Sequence, residues 1–186
     1  MECALDATGR RDLYRLVARL LGEEIDAPLY RRLLAAQGEA HPWIEAEIAG
    51  LPEQAALEAL HSEYCRLLVG PYPQCPPFAS VVRGEAMLGG RARISLDELL
   101  ASLGLVVDTH ARIPSSDHVA VVFAALAELS DPAQIAACLR DVVLPWVPGW
   151  LSALERAAER ALFRTLARVA IALLEEEQMS LIQTNH

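Results

Sequence analysis

The sequence predicts an all-α fold, a single compact domain of roughly eight to ten helices spanning residues 1–186. Three observations carry this expectation. About a third of the chain is alanine or leucine, a composition that favours helix. Apolar residues recur at helical spacing from end to end, with glycine and proline at the breaks. No alternating run is long enough for a strand. A chain of 186 residues can bury a usable core in one domain.

Leu13, Leu16, Val17, Leu20 and Leu21 share one face of a first helix that ends near Gly22. Pro28 suits the first turn of a second helix running to Gly38, and Pro42 can open a short third through Ile48. From Pro52 to Val69 the spacing of Leu57, Leu60, Tyr64, Leu67 and Leu68 marks a longer helix, with Gly70-Pro71 as its stop signal. Residues 70–94 are rich in proline and glycine, yet Tyr72, Phe78, Val81 and Val82 give that loop enough apolar surface to be ordered. Ser95 and Glu98 form a capping-box pattern ahead of Leu99, Leu100 and Leu103, closed by Gly104. Ser115 or Ser116 can cap the next helix, which holds Asp117 and His118 in its first turn and runs to Leu129. Asp131-Pro132 restarts a helix. Pro145, Pro148 and Gly149 then break the chain, and Ser152 with Glu155 predicts one last helix to Gln178.

Twenty-five acidic side chains face 16 basic ones, all arginine, for a net charge of -9. That balance argues against a nucleic-acid binder, which needs clustered cations, and favours a basic partner. Arg10-Arg11 imitates a twin-arginine export signal, but Asp12, Arg15 and Arg19 interrupt the apolar run such a signal requires. No stretch predicts direct membrane insertion, so the expected compartment is the cytoplasm. Cys3, Cys65, Cys75 and Cys138 lack metal-type spacing and read as free, mostly buried thiols.

Glu58 and His61 have the ExxH spacing of a di-iron bundle, but no second ExxH accompanies them, so neither a metal nor another cofactor is expected. Cys65 or Ser80 could join His118 and Asp117 in nucleophilic catalysis. Adjacent residues on a helix diverge by about 100°, however, so Asp117 does not naturally orient His118. A small helical enzyme or nucleotide binder therefore stands as a different-class alternative, without a phosphate loop to support it. Arg156, Arg160, Arg164 and Arg168 form a stripe that reads as a solvated face or an anion-docking surface. Asp117 also suits a helix start on dipole grounds alone.

The segment Glu63-Tyr64-Cys65-Arg66-Leu67-Leu68-Val69-Gly70-Pro71, followed by Pro76-Pro77-Phe78-Ala79-Ser80-Val81 and later by Asp117-His118, resembles the TorD/DmsD/NarJ family of molybdoenzyme maturation chaperones. The Leu13-Tyr14-Arg15-Leu16 run and the Trp146-Val147-Pro148 turn fit in position. Leu68 replaces the family's usual phenylalanine, and Val122 stands where many members carry glutamate. The resemblance implies a TorD-like helical fold and a cytosolic chaperone, not an enzyme. Its partner would be the catalytic subunit of a molybdopterin-containing oxidoreductase, held by an N-terminal leader of the twin-arginine type until cofactor insertion is complete. A NarJ-like assembly factor for a non-exported subunit is the alternative within the class. The protein would be a monomer or a dimer exchanging helices through the Gly-Pro loop.

A basic, apolar leader calls for carboxylates beside an apolar groove. Tyr64, Leu67, Leu68, Pro77 and Phe78 are the candidate wall, with Gly70 and Pro71 turning the chain and Ser80 following in the motif. Asp117 is the expected partner of a leader arginine, His118 a donor to a peptide carbonyl, and Glu63 a further basic-residue contact.

Overall fold

The computed structural model describes residues 7–36, 42–106 and 115–184. Among these residues there are ten α-helices and no strand, as the composition predicts. Cys3 and the expected helix end at Gly38 lie outside the described residues.

The centre of the molecule is α7 (Val119–Glu128), which is apolar on nearly every side and buried at all but two of its positions. A helix without a polar face must be enclosed. The amphipathic α1 (Ala7–Gly22) covers it, with Tyr14 against Phe123 at 6.1 Å between ring centroids. Arg10 fastens this pair from outside. One guanidinium nitrogen lies 2.9 Å from Glu177 and another donates to the Leu129 carbonyl at 2.9 Å. The arginine pair that imitates an export signal thus begins a packed helix.

α2 (Ala27–Ala35) has Pro28 in its first turn as expected, and Asp26 caps it by accepting from Leu29 N at 2.8 Å. α3 is shorter than expected: it spans Ala46–Ala49, and the carbonyl of Pro42 instead accepts from Thr165 Oγ1. α4 (Glu53–Tyr64) continues into a π-helical turn, Cys65–Val69, closed by a 2.7 Å bond from Gly70 N to Cys65 O. The expected loop at 70–94 contains a helical turn, α5 (Ala79–Val82), and the start of α6 (Gly90–Ser102). Ser95 does not cap α6. Glu85 does so from outside, accepting from the amides of Arg91 and Ala92 at 2.6 and 3.1 Å.

α8 (Pro132–Cys138) opens on the expected Asp131 cap and also runs into a π-helical turn, Leu139–Val143. Cys75 and Cys138 are buried free thiols, and Cys65 is half-buried. The last helix of the sequence reading is two helices, α9 (Val147–Ala157) and α10 (Ala161–Thr184). Ser152 lies inside α9 and bonds back to the Pro148 carbonyl at 2.9 Å.

The break between α9 and α10 has a physical cause that local sequence does not contain. Glu63 Oε1 accepts from the amides of Glu159 and Arg160 at 2.6 and 3.2 Å, and Glu45 Oε2 accepts from Ala161 N at 2.9 Å. Two carboxylates from distant elements thereby satisfy the free amides of a helix start and lie on its positive dipole end. Arg164 donates to the carbonyls of Ala158 and Glu159 at the facing end of α9. The arginine stripe is therefore divided: Arg160 meets Glu45 at 3.4 Å and Arg168 meets Glu155 at 2.7 Å.

Candidate functional site

A cleft of about 470 Å³ opens where α1 and α4 end beside the proline-rich loop. Gly22, Glu23 and Glu24 border it from the α1–α2 connection, and Tyr64, Leu68, Val69 and Gly70 from α4 and its π-helical turn. Pro73, Pro77, Phe78, Leu88 and His118 complete the wall.

The π-helical turn is what brings Leu68 and Val69 to the cleft, because the extra residue per turn rotates the end of α4 relative to its own axis. It requires glycine at its end. A Cβ on Gly70 would lie 2.7 Å from the Cys65 carbonyl oxygen, inside any tolerable contact. After Gly70 the chain doubles back, with Gln74 N and Cys75 N donating to the carbonyls of Arg66 and Leu67 at 3.1 and 2.8 Å. Trp150 Nε1 holds the Pro76 carbonyl at 3.0 Å. Two proline rings and these anchors fix the loop before any ligand arrives, which lowers the ordering penalty of binding.

Phe78 then forms an isolated antiparallel bridge with His118. Val119 N donates to Pro77 O at 2.8 Å and Ala79 N to Asp117 O at 3.0 Å. The rings of Phe78 and His118 stand edge to face, 5.0 Å apart. Behind the bridge lies Asp117, fully buried. Its Oδ2 accepts from Ser80 N at 3.0 Å and Ser80 Oγ at 2.6 Å, while Oδ1 accepts from Ser115 Oγ. Ser80 Oγ in turn accepts from Gly89 N at 2.9 Å, and Gly89 takes the left-handed φ of +85° that starts α6. The carboxylate and the Ser80 hydroxyl therefore pin three segments of chain together.

This arrangement corrects the expectation for Asp117. It lies behind the cleft wall with its acceptor sites occupied, so it is not positioned to meet a leader arginine. Glu63 is likewise committed, to the α10 start and to Arg66 at 2.7 Å. Leu67 is fully buried in the core and Pro71 is exposed outside the cleft. Tyr64, Leu68, Gly70, Pro77, Phe78 and His118 do come together. Glu23, Glu24, Val69, Pro73 and Leu88 were not legible as site residues, because nothing local says that the end of α1 meets the end of α4.

His118 is also the true cap of α7, where a serine was expected. Its Nδ1 accepts from Ala120 N at 3.1 Å, which requires an unprotonated Nδ1 and leaves the ring proton on Nε2. Burial pushes its pKa from 6.5 down to about 4, against the opposing pull of the Asp117 charge. The ring is thus neutral at physiological pH, a hydrogen-bond donor through Nε2. The phenol of Tyr64, donating to Leu21 O at 3.3 Å, is pushed up to about 12, chiefly by burial. The other candidate centres have protein partners: His61 Nε2 pairs with the Ile25 carbonyl at 2.7 Å and Glu58 accepts from Gln54 at 3.0 Å.

Residues 31–152, more than half of the chain, match the family model for the nitrate reductase delta subunit. The chain belongs to the nitrate reductase delta subunit family. The matched span contains every residue of the TorD/DmsD/NarJ resemblance from Glu63 to His118, and that resemblance is borne out. As a member of the delta subunit family the chain is a maturation chaperone for a redox enzyme. The crystal structure of an Archaeoglobus fulgidus protein, assigned a proposed role in redox enzyme maturation, superposes with a TM-score of 0.57. It shares 22% identity, over 89% of this chain and 93% of that one, and so shows the same fold in this delta subunit family member. No curated protein sequence matches the chain. No helix among the described residues is long and apolar enough to cross a membrane.

Proposed function

We propose that the cleft holds the N-terminal leader of a molybdopterin oxidoreductase catalytic subunit while that subunit acquires its cofactor. The observation that carries this reading is the cleft wall itself. Val69, Phe78 and Leu88 present apolar surface beside the polar donor His118, and the buried Tyr64, Leu68 and Pro77 back the wall. Val69 and Leu88 are more than half exposed, and apolar residues left open beside a concavity mark a binding surface. A peptide with an apolar stretch covers such a wall and gains from each side chain removed from water. His118 Nε2 then donates to a backbone carbonyl and sets the register, which apolar contacts alone do not.

The experiment is co-purification of the chain with its client subunit, intact and with the leader deleted. A leader chaperone loses the client on deletion. A client that stays bound supports the NarJ-like reading, in which the target is a non-exported catalytic subunit. Replacing Phe78 by alanine removes the edge of the wall, and calorimetry with the isolated leader should show affinity falling about tenfold, the scale of one buried aromatic contact.

A further inference from the structure

The cleft borders on two carboxylates, and among the described residues its lining includes no arginine. α1 closes at Gly22, and the exposed Glu23 and Glu24 follow immediately, on the same side as Tyr64. The last carbonyls of α1 add the negative end of a helix dipole. Arg19, in the last turn of α1, is already divided. Its Nε lies 3.5 Å from Glu23, its Nη1 donates to the backbone carbonyl of Glu24 at 3.0 Å, and its Nη2 reaches Asp26 at 3.2 Å. Glu24 has no ion pair among the described residues; its carboxylate instead accepts a weak contact from Cys65 Sγ at 4.0 Å. Both charges are felt inside the cleft, where they add to burial in raising the pKa of Tyr64.

His118 is an independent sign of a ligand site. It is 4% exposed, its Nδ1 is taken by Ala120 N, and its Nε2 has no hydrogen-bond partner among the described residues. A nearly buried donor on an apolar wall calls for an acceptor from outside. Together the wall, the donor and the acidic border describe one occupant, a peptide with a cationic side chain next to apolar ones. A guanidinium suits the border best, because it can engage a carboxylate through two parallel hydrogen bonds.

We propose that Glu24, with Glu23 beside it, is the subsite for the arginine of the bound client segment. This rests on the reading of the cleft as the leader site, and it assigns the arginine to the end of α1 in place of Asp117. Apolar leader residues then lie against Val69, Phe78 and Leu88. The net charge of -9 supports long-range attraction of such a basic segment.

The test uses the full chain and fluorescence anisotropy with two labelled synthetic peptides. One carries two arginines followed by a run of leucine and alanine; the other has both arginines replaced by neutral citrulline. The native chain should bind the arginine peptide several-fold more tightly, and added salt should narrow the gap. The Glu23→Gln, Glu24→Gln double variant, altered at exposed positions only, should weaken the arginine peptide about fivefold and leave the citrulline peptide unchanged. Equal effects on both peptides, or none on either, overturn the subsite. If Phe78→Ala still weakens both peptides in that case, the leader reading stands and the arginine is held elsewhere. No binding of either peptide to the native chain, or binding indifferent to Phe78→Ala, overturns the leader reading and the subsite with it.

Discussion

Phe78 and His118, 40 positions apart in sequence, are joined twice: their backbones form an antiparallel bridge and their rings meet edge to face at 5.0 Å, 83° between planes. The bridge makes the proline-rich loop and the start of α7 into one unit. The ring contact puts the aromatic edge of the wall against its one polar donor. Aromatic pairs in this geometry contribute about 1 kcal/mol beyond their buried area.

Protonation of His118 should destabilise the fold. Its folded pKa, about 4, is below the 6.5 of the free side chain, so the unfolded chain takes up a proton that the folded chain refuses. The contribution is level above the unfolded value, and stability is lost as pH falls from there towards the folded value. Between pH 7 and pH 5 the penalty reaches about 2 kcal/mol. Urea unfolding of the native chain and of His118→Asn at both pH values checks this, since asparagine can cap α7 without titrating. Equal losses in the two chains would remove His118 as the cause.

Asp117→Asn should act on stability. The amide keeps one acceptor oxygen where Ser80 N, Ser80 Oγ and Ser115 Oγ converge on two, and it directs an NH2 group at a donor. A loss of about 3 kcal/mol in chemical unfolding is expected for a buried, charge-assisted network. Calorimetry on the fraction that remains folded should give a near-native affinity for the leader. A large loss of affinity at unchanged stability would instead put Asp117 in contact with the peptide.

Glu63→Gln should loosen the start of α10. The buried carboxylate accepts from two amides there and pairs with Arg66, which also holds Gln74 at 2.7 Å and the Ala157 carbonyl at 2.9 Å. About 2 kcal/mol of stability should be lost, the scale of a helix cap plus a partly buried ion pair. Hydrogen exchange at Glu159, Arg160 and Ala161 should accelerate before that of α7. Uniform acceleration throughout the molecule would show that the junction has no local role.

Where a structural signal is local, the sequence alone carried it. Pro28, Asp131 with Pro132, and the stop at Gly70 all lie within a few residues of the helix end they define. Helical periodicity and the alanine-leucine content fixed the fold class, because an amphipathic stripe needs nothing beyond its own spacing to be visible. The ordered motif from Glu63 to Phe78, with Asp117-His118 after it, carried the family.

Tertiary structure decided what the motif residues do. Ser95 and Ser152 have capping-box spacing, yet Glu85 caps α6 from outside and Pro148 lies in the first turn of α9, so both serines became interior positions. α9 and α10 read as one continuous helix until Glu45 and Glu63 arrive from other elements to supply a second start. Asp117 and Glu63 looked like ligands because charge in a motif is visible, while the donors that occupy it are not. Glu23 and Glu24 looked like an ordinary helix end for the converse reason. A carboxylate's role depends on which donors or open spaces lie within about 3 Å of it, and only the packing of α1 against the end of α4 put that pair on the cleft.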